Sequence, residues 1–119
     1  VDDELLVRQA FARLLERQGY RVLTAEDGRE AVGVLAHEHI DLVVTDLMMP
    51  EMSGVELAQH LAAHYPMLRE RLLVVCGGAV TQDALTFVAT PGLRVLEKPV
   101  APTELLYAVS SALRMPARV

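Results

Sequence analysis

The run Ile40-Asp41-Leu42-Val43-Val44-Thr45-Asp46 decides the fold class. Its apolar residues are continuous and β-branched, where a strand with one wet face would alternate. That is the pattern of a strand covered on both faces, as in a parallel sheet. Similar short apolar runs flank it: Arg21–Glu26 (RVLTAE), Leu72–Cys76 (LLVVC) and Leu93–Glu97 (LRVLE). Between these runs the apolar spacing becomes helical, over 4–18, 29–37, 53–64, 81–89 and from Pro102 to about Met115. In the first of these helices Leu6, Ala10 and Leu14 mark the stripe expected to face the core, and Gly19 stops it. Asp27-Gly28 and Pro91-Gly92 are turn signals, Ser53 is a natural N-cap, Pro66 ends the helix it follows, and Pro102 sits at a favoured first helical position.

Buried strands alternating with amphipathic helices predict an α/β domain: a doubly wound parallel sheet with helices on both faces and right-handed crossovers. Such a fold opens on a strand, yet only Val1 precedes the Asp2-Asp3 pair. A doubly wound sheet without its central strand exposes two edges and leaves a gap in its core. The expectation is therefore a first strand truncated in this sequence, most of its residues lying upstream.

The 119 residues suit one domain, spanning 1–119, with neither repeats nor linkers. Apolar residues make up 52% and charged residues 23%, which excludes a disordered chain. Aromatics are only 4%, so Leu, Val, Ala and Met must build the core. A net charge of -5 argues against direct contact with nucleic acid or an anionic membrane, both of which reward clustered Lys and Arg. A single cysteine, Cys76, makes neither an internal disulfide nor a zinc site, so a reducing cytoplasm is the expected location. No apolar run reaches bilayer length. Ten of the eleven basic residues are Arg, so Lys98 stands out as the one lysine.

In open α/β sheets the site lies beyond the carboxyl ends of the strands. Those ends carry Asp2 and Asp3, then Asp46, then Cys76, then Lys98-Pro99. Three carboxylates brought close repel one another and call for a cation. Hard oxygen ligands with open water positions suit Mg²⁺ better than zinc. A carboxylate beside Mg²⁺ can attack a phosphoryl group, with Asp46 as nucleophile and Lys98 as a compact positive charge on the phosphoryl oxygens.

These residues carry a resemblance. Asp2-Asp3-Glu4, the loop Asp46-Leu47-Met48-Met49-Pro50-Glu51-Met52-Ser53-Gly54 and the Lys98-Pro99 step are similar to the receiver domain of two-component response regulators, over essentially the whole chain. The resemblance implies a flavodoxin-like fold with five strands in the order 2-1-3-4-5. It implies phosphorylation on Asp46 by a partner histidine kinase or histidine phosphotransfer protein. Mg²⁺ would be held directly by Asp3, through water by Asp2, and by Asp46 and the Met48 backbone carbonyl. Lys98 would contact the phosphoryl oxygens, the Lys98–Pro99 bond would be cis, and Gly54 would permit close backbone approach. Such a domain is a signalling module whose only catalysis concerns its own phosphorylation and dephosphorylation. It passes the signal to an output domain or protein. The segment Cys76-Gly77-Gly78-Ala79 also resembles receivers attached to hybrid histidine kinases.

Two positions depart from the family. Cys76 stands where the family has Thr or Ser, and Val95 where it has Tyr or Phe. The hydroxyl binds the phosphoryl group and the ring swings in behind it, so both parts of that relay are altered. Each motif has a plainer explanation when taken alone. Asp2 and Asp3 would cap a helix, Asp46 would be a turn residue, and Lys98-Pro99 a loop. Their coincidence at one sheet edge favours the functional reading. Asp41, at the other end of its strand, is expected to be solvated. Cys76 reads as a packed, inert thiol, Met48, Met49 and Met52 as loop packing, and Arg8, Arg13 and Arg17 as a solvated face open to a partner. His60 and His64 lack a third metal ligand. The rival of another class is a pseudo-receiver, an interaction domain indifferent to phosphate. A haloacid-dehalogenase-type phosphatase would want Asp two residues after its nucleophile, where Met48 stands.

Overall fold

A computed structural model describes residues 1–78 and 81–114. In chain order the elements are α1 (Leu5–Glu16), α2 (Gly28–His37), β1 (Val44–Asp46), α3 (Gly54–His64), α4 (Pro66–Glu70), β2 (Leu73–Cys76), α5 (Gln82–Val88), β3 (Arg94–Glu97) and α6 (Pro102–Leu113). The three strands pair in parallel in the order β1-β2-β3, with Thr45 opposite Val74 and Val74 opposite Val95. Parallel pairing leaves both faces of the sheet to helices, and β2 shows this directly. Leu73 packs with Leu15 of α1 and Leu105 and Val109 of α6. Val74, the next residue, packs with Leu57 and Leu61 of α3 and Leu35 of α2. The doubly covered sheet expected from the continuous apolar runs is what forms.

Local signals set most helix limits. Ser53 and Glu56 form a reciprocal capping box at the start of α3. Asp27 caps α2 and Thr81 caps α5. The Met115 end expected for α6 lies outside the described residues, as does Ala79 in the Cys76–Ala79 segment.

Three sequence expectations need correction. Residues 21–25, expected as a strand, adopt no regular secondary structure. A strand requires a hydrogen-bonded neighbour, and the backbone bond made there is Asp2 N–H to Ala25 O at 3.1 Å. A cavity of about 400 Å³, lined in part by Val22, Thr24, Leu42 and Val44, separates this segment from β1. Likewise Ile40–Leu42 runs ahead of the ladder, and Val43 contributes only its carbonyl, which accepts from Leu73 N–H at 2.9 Å, so β1 is shorter than the apolar run. Second, Pro66 ends α3 but also opens α4, where its missing N–H costs nothing. Third, α1 buries Leu15, with Phe11 and Leu14 packed beside it, whereas Leu6 is 79% exposed. Only the last turns of α1 reach the α6 contact, so its first turn projects past the core.

Candidate functional site

Parallel register brings the chemistry to one edge. Asp46 ends β1 opposite Val75, Cys76 ends β2 opposite Glu97, and Lys98 follows directly on β3. Val1 and Asp2 lie between β1 and Ala25: Asp46 N–H donates to Val1 O at 2.8 Å. Oxygens of Asp2, Asp3 and Asp46 all lie within 4.8 Å of one another, the first and last buried and Asp3 exposed. Lys98 Nζ reaches Asp46 Oδ2 at 3.3 Å, Asp2 Oδ2 at 3.5 Å and Glu4 Oε1 at 3.7 Å.

Backbone geometry holds these groups. The loop after Asp46 closes on itself where Gly54 N–H donates to Leu47 O at 2.9 Å. A Cβ on Gly54 would stand 2.5 Å from Asp46 O, so only glycine lets α3 approach so closely. Across the crevice Lys98 N–H donates to Cys76 O at 2.8 Å, and the Lys98–Pro99 bond is cis, as the resemblance implied. A Cβ on Gly77 would lie 2.8 Å from Lys98 Cβ, so this glycine gives the lysine stem its room.

Burial pushes the Asp46 carboxyl above the ordinary aspartate value. Lys98 opposes that shift, and the nearby Asp2 charge adds to it. Burial works against the Lys98 ammonium too, but Asp46 and Asp2, with Glu4 behind them, outweigh it and its pKa is raised. One ammonium among four carboxylates leaves the cluster net negative. The metal-binding group is all carboxylate, without His or Cys, and Asp3 opens it to solvent on one side. Such a donor set fits Mg²⁺, which favours a few carboxylates and keeps several waters.

The residues expected at the site are thus together: Asp2, Asp3, Asp46 and Lys98 in contact range, and Cys76 half-buried beside them. Asp2 Oδ1 also accepts from Glu4 N–H at 2.9 Å just ahead of α1, but no side chain caps the helix itself, so the plainer reading of the acid pair as a helix cap does not hold. Met48 lies in the adjoining loop with its side chain packed on the core. Asp41 is at the opposite end, exposed and 3.0 Å from His39. His60 and His64, on α3 and not among the acid cluster, have ring centroids 4.7 Å apart with planes tilted by 44°.

Two residues at the site were not given this role from the sequence. Arg8, read there as solvated, donates from Nη1 to Asp2 O at 2.8 Å and so braces the acid pair. Glu4 was quoted only as part of a motif. Its contact is with Lys98, 94 positions away in the chain, and no local pattern signals that.

Comparison with known proteins agrees with this geometry. The family model of the response regulator receiver domain matches residues 1–110. The chain is 34% identical over 116 residues to a probable transcriptional regulator, ycf27, of Cyanophora paradoxa, covering 96% of this chain and 46% of that protein. It is 34% identical over 114 residues to the response regulator MprA of Mycolicibacterium vanbaalenii, covering 96% of this chain and 48% of the relative. The chain thus spans about half the length of these curated relatives. Among solved structures, a response regulator receiver domain protein from Clostridium thermocellum superposes with a TM-score of 0.82 at 28% identity, covering 94% of this chain and 89% of the other. The signal receiver domain of a histidine kinase from Syntrophus aciditrophicus shares the fold, with a TM-score of 0.77 at 23% identity over 100% of this chain and 93% of that one.

Proposed function

The chain belongs to the response regulator receiver domain family of two-component signalling, and from that premise we propose that it is a working phosphoacceptor, modified on Asp46 with Mg²⁺ by a phosphohistidine of a histidine kinase or phosphotransfer protein. One observation carries the reading: the Asp46 carboxylate ends a buried strand, within one cluster with Asp2 and Asp3, and 3.3 Å from the sole lysine.

In the transfer an Asp46 oxygen attacks phosphorus, a P–O bond forms and the donor's P–N bond breaks, the imidazole leaving with its electron pair and taking up a proton. Phosphoryl transfer asks mainly for positioning and charge neutralisation. Strand β1 and the Leu47–Gly54 turn hold the attacking carboxylate in place. Lys98, which follows β3, supplies a positive charge 3.3 Å from Asp46. Asp2 and Asp3, with Asp46 and the Met48 carbonyl, would hold Mg²⁺, which when bound neutralises phosphoryl oxygens as charge develops.

Cys76 and Val95 point to a weakened readout of the phosphoryl group. A thiol is a weak hydrogen-bond donor, and Val95, half-buried in β3, has no ring to swing behind it.

Intact mass after incubation with acetyl phosphate and Mg²⁺ tests the proposal. One phosphoryl group is expected on the wild type, none on Asp46→Asn, and little on Asp3→Ala, which should also lose Mg²⁺ binding in an NMR titration. An unmodified wild type would favour the pseudo-receiver. Unchanged labelling of Asp46→Asn would move the site, with Asp3 next in line.

A further inference from the structure

The four carboxylates of the site divide unequally between its two cations, and this division rests on the Mg²⁺ reading above. Asp2 and Asp46 belong to both sets: they lie in the metal-binding group and also contact Lys98. Asp3 belongs to the metal group, and among the described residues it makes no ion pair with the lysine. Glu4 is the reverse, standing outside the metal group while its Oε1 lies 3.7 Å from Lys98 Nζ.

A bound Mg²⁺ and the Lys98 ammonium would thus draw on the same two carboxylates. With Asp2 engaged by the metal, Lys98 would hold its 3.5 Å partner less firmly and share its 3.3 Å partner Asp46. An ammonium has three N–H donors and suffers when buried without acceptors. Left with half of Asp46, it would drift from the place where a phosphoryl oxygen must meet it. Glu4 is free to prevent that. It is the N-cap residue of α1, yet its side chain makes no cap hydrogen bond, and its backbone N–H is taken up separately by Asp2 Oδ1. A shift of about 0.8 Å would turn its contact with Lys98 into an ordinary hydrogen bond.

We propose that Glu4 is a positioning residue for Lys98: a carboxylate outside the metal group that holds the ammonium beside Asp46 once Asp2 has turned to Mg²⁺. Its exposure, 63% for the side chain, suits a partner that is used intermittently. Glu4 makes no contact with the metal or the phosphoryl group in this scheme and acts only through the lysine.

The test is a double-mutant cycle on the whole chain, using wild type, Glu4→Gln, Lys98→Met and the double variant, with Mg²⁺ affinity followed by amide shifts at Leu47. Removing Glu4 should weaken Mg²⁺ roughly threefold when Lys98 is present, the scale of a partly exposed ion pair. In the Lys98→Met background the same change should have no effect beyond error, because no ammonium remains to be placed. Equal factors in the two backgrounds would overturn the proposal and leave Glu4 as a simple contributor to the field. A second measurement avoids the Lys98 variant altogether. Lys98 is the only lysine, so ¹³C-lysine labelling yields a single ε-methylene signal. Its two protons should stay inequivalent in the Mg²⁺-saturated wild type and merge in Mg²⁺-saturated Glu4→Gln. Protons that stay inequivalent in both would equally refute the role of Glu4. If the wild type binds no Mg²⁺, the metal reading falls and takes this one with it; if Mg²⁺ binds without coupling, only the role of Glu4 falls.

Discussion

Replacing Gly54 by Ala tests how tightly the fold holds its phosphoacceptor. The added Cβ would stand 2.5 Å from Asp46 O, 2.9 Å from Leu47 Cα and 3.2 Å from Leu47 O. Relaxed contacts of carbon with carbon run about 3.5–4.0 Å, so helix α3 and the end of β1 must separate by roughly 0.5–1 Å. Neither side can yield freely. Gly54 N–H is bonded to Leu47 O, Leu47 N–H to Val75 O and Asp46 N–H to Val1 O, all at 2.8–2.9 Å. Overpacking of this kind costs about 1–3 kcal/mol. The better helix propensity of Ala offsets under 1 kcal/mol at a helix start. Urea unfolding followed by circular dichroism should thus show Gly54→Ala destabilised by about 1–2 kcal/mol. Gly33→Ala is the control: it lies within α2, nothing stands within 4 Å of its added Cβ, and it should stabilise by about 0.5–1 kcal/mol. The site should suffer along with the fold, since a displacement near 1 Å at the reacting group can slow reaction up to about 100-fold. Acetyl phosphate labelling of Gly54→Ala should therefore slow by roughly tenfold or more. A Gly54→Ala variant with wild-type stability and labelling rate would show that this close approach does not hold Asp46 in place.

Two further outcomes follow from the same geometry. Asp46 keeps its proton to a higher pH in the fold than in the unfolded chain, mainly through burial. The folded state then binds more protons above the ordinary aspartate pKa, so stability falls as pH rises through the raised value. Asp46→Asn should be more stable than wild type at neutral pH, and the two should converge below the ordinary aspartate range; a gain that persists unchanged in acid would refute the assignment to this carboxyl. Cys76→Thr should strengthen the hold on beryllofluoride by roughly tenfold, since a hydrogen bond to a charged group contributes about 1.5–3 kcal/mol. Adding Val95→Tyr should spread amide shift changes over 81–97 beyond the sum of the single variants; wide shifts already present in the wild type would point to another switching route.

Much of the fold was legible because its signals are local. Strand covering shows as apolar runs without alternation at 40–46 and 72–76, and Ser53, Asp27 and Pro102 mark helix starts within a few residues of where they act. Asp2, Asp3, Asp46 and Lys98 were legible for a related reason. Parallel strands all present their carboxyl ends to one edge, so position within each run places its last residue. Strand limits at 21–26 and 40–43 were not legible, because a strand exists only with a paired neighbour. The stripe of α1 shows the same limit. Leu6 and Leu15, nine positions apart, lie on opposite sides of the helix, and packing with α6 selects the Leu15 side.

What the sequence determined by itself was a parallel sheet covered by helices on both faces and the edge at which the carboxylates and Lys98 meet. Only the tertiary structure decided how those carboxylates are shared. Register across β1, β2 and β3 sets Lys98 between Asp2, Asp46 and Glu4. Coulombic and hydrogen-bonding partners are fixed by distances of a few ångströms, and the chain's periodicities carry no information on that scale between residues so far apart in sequence.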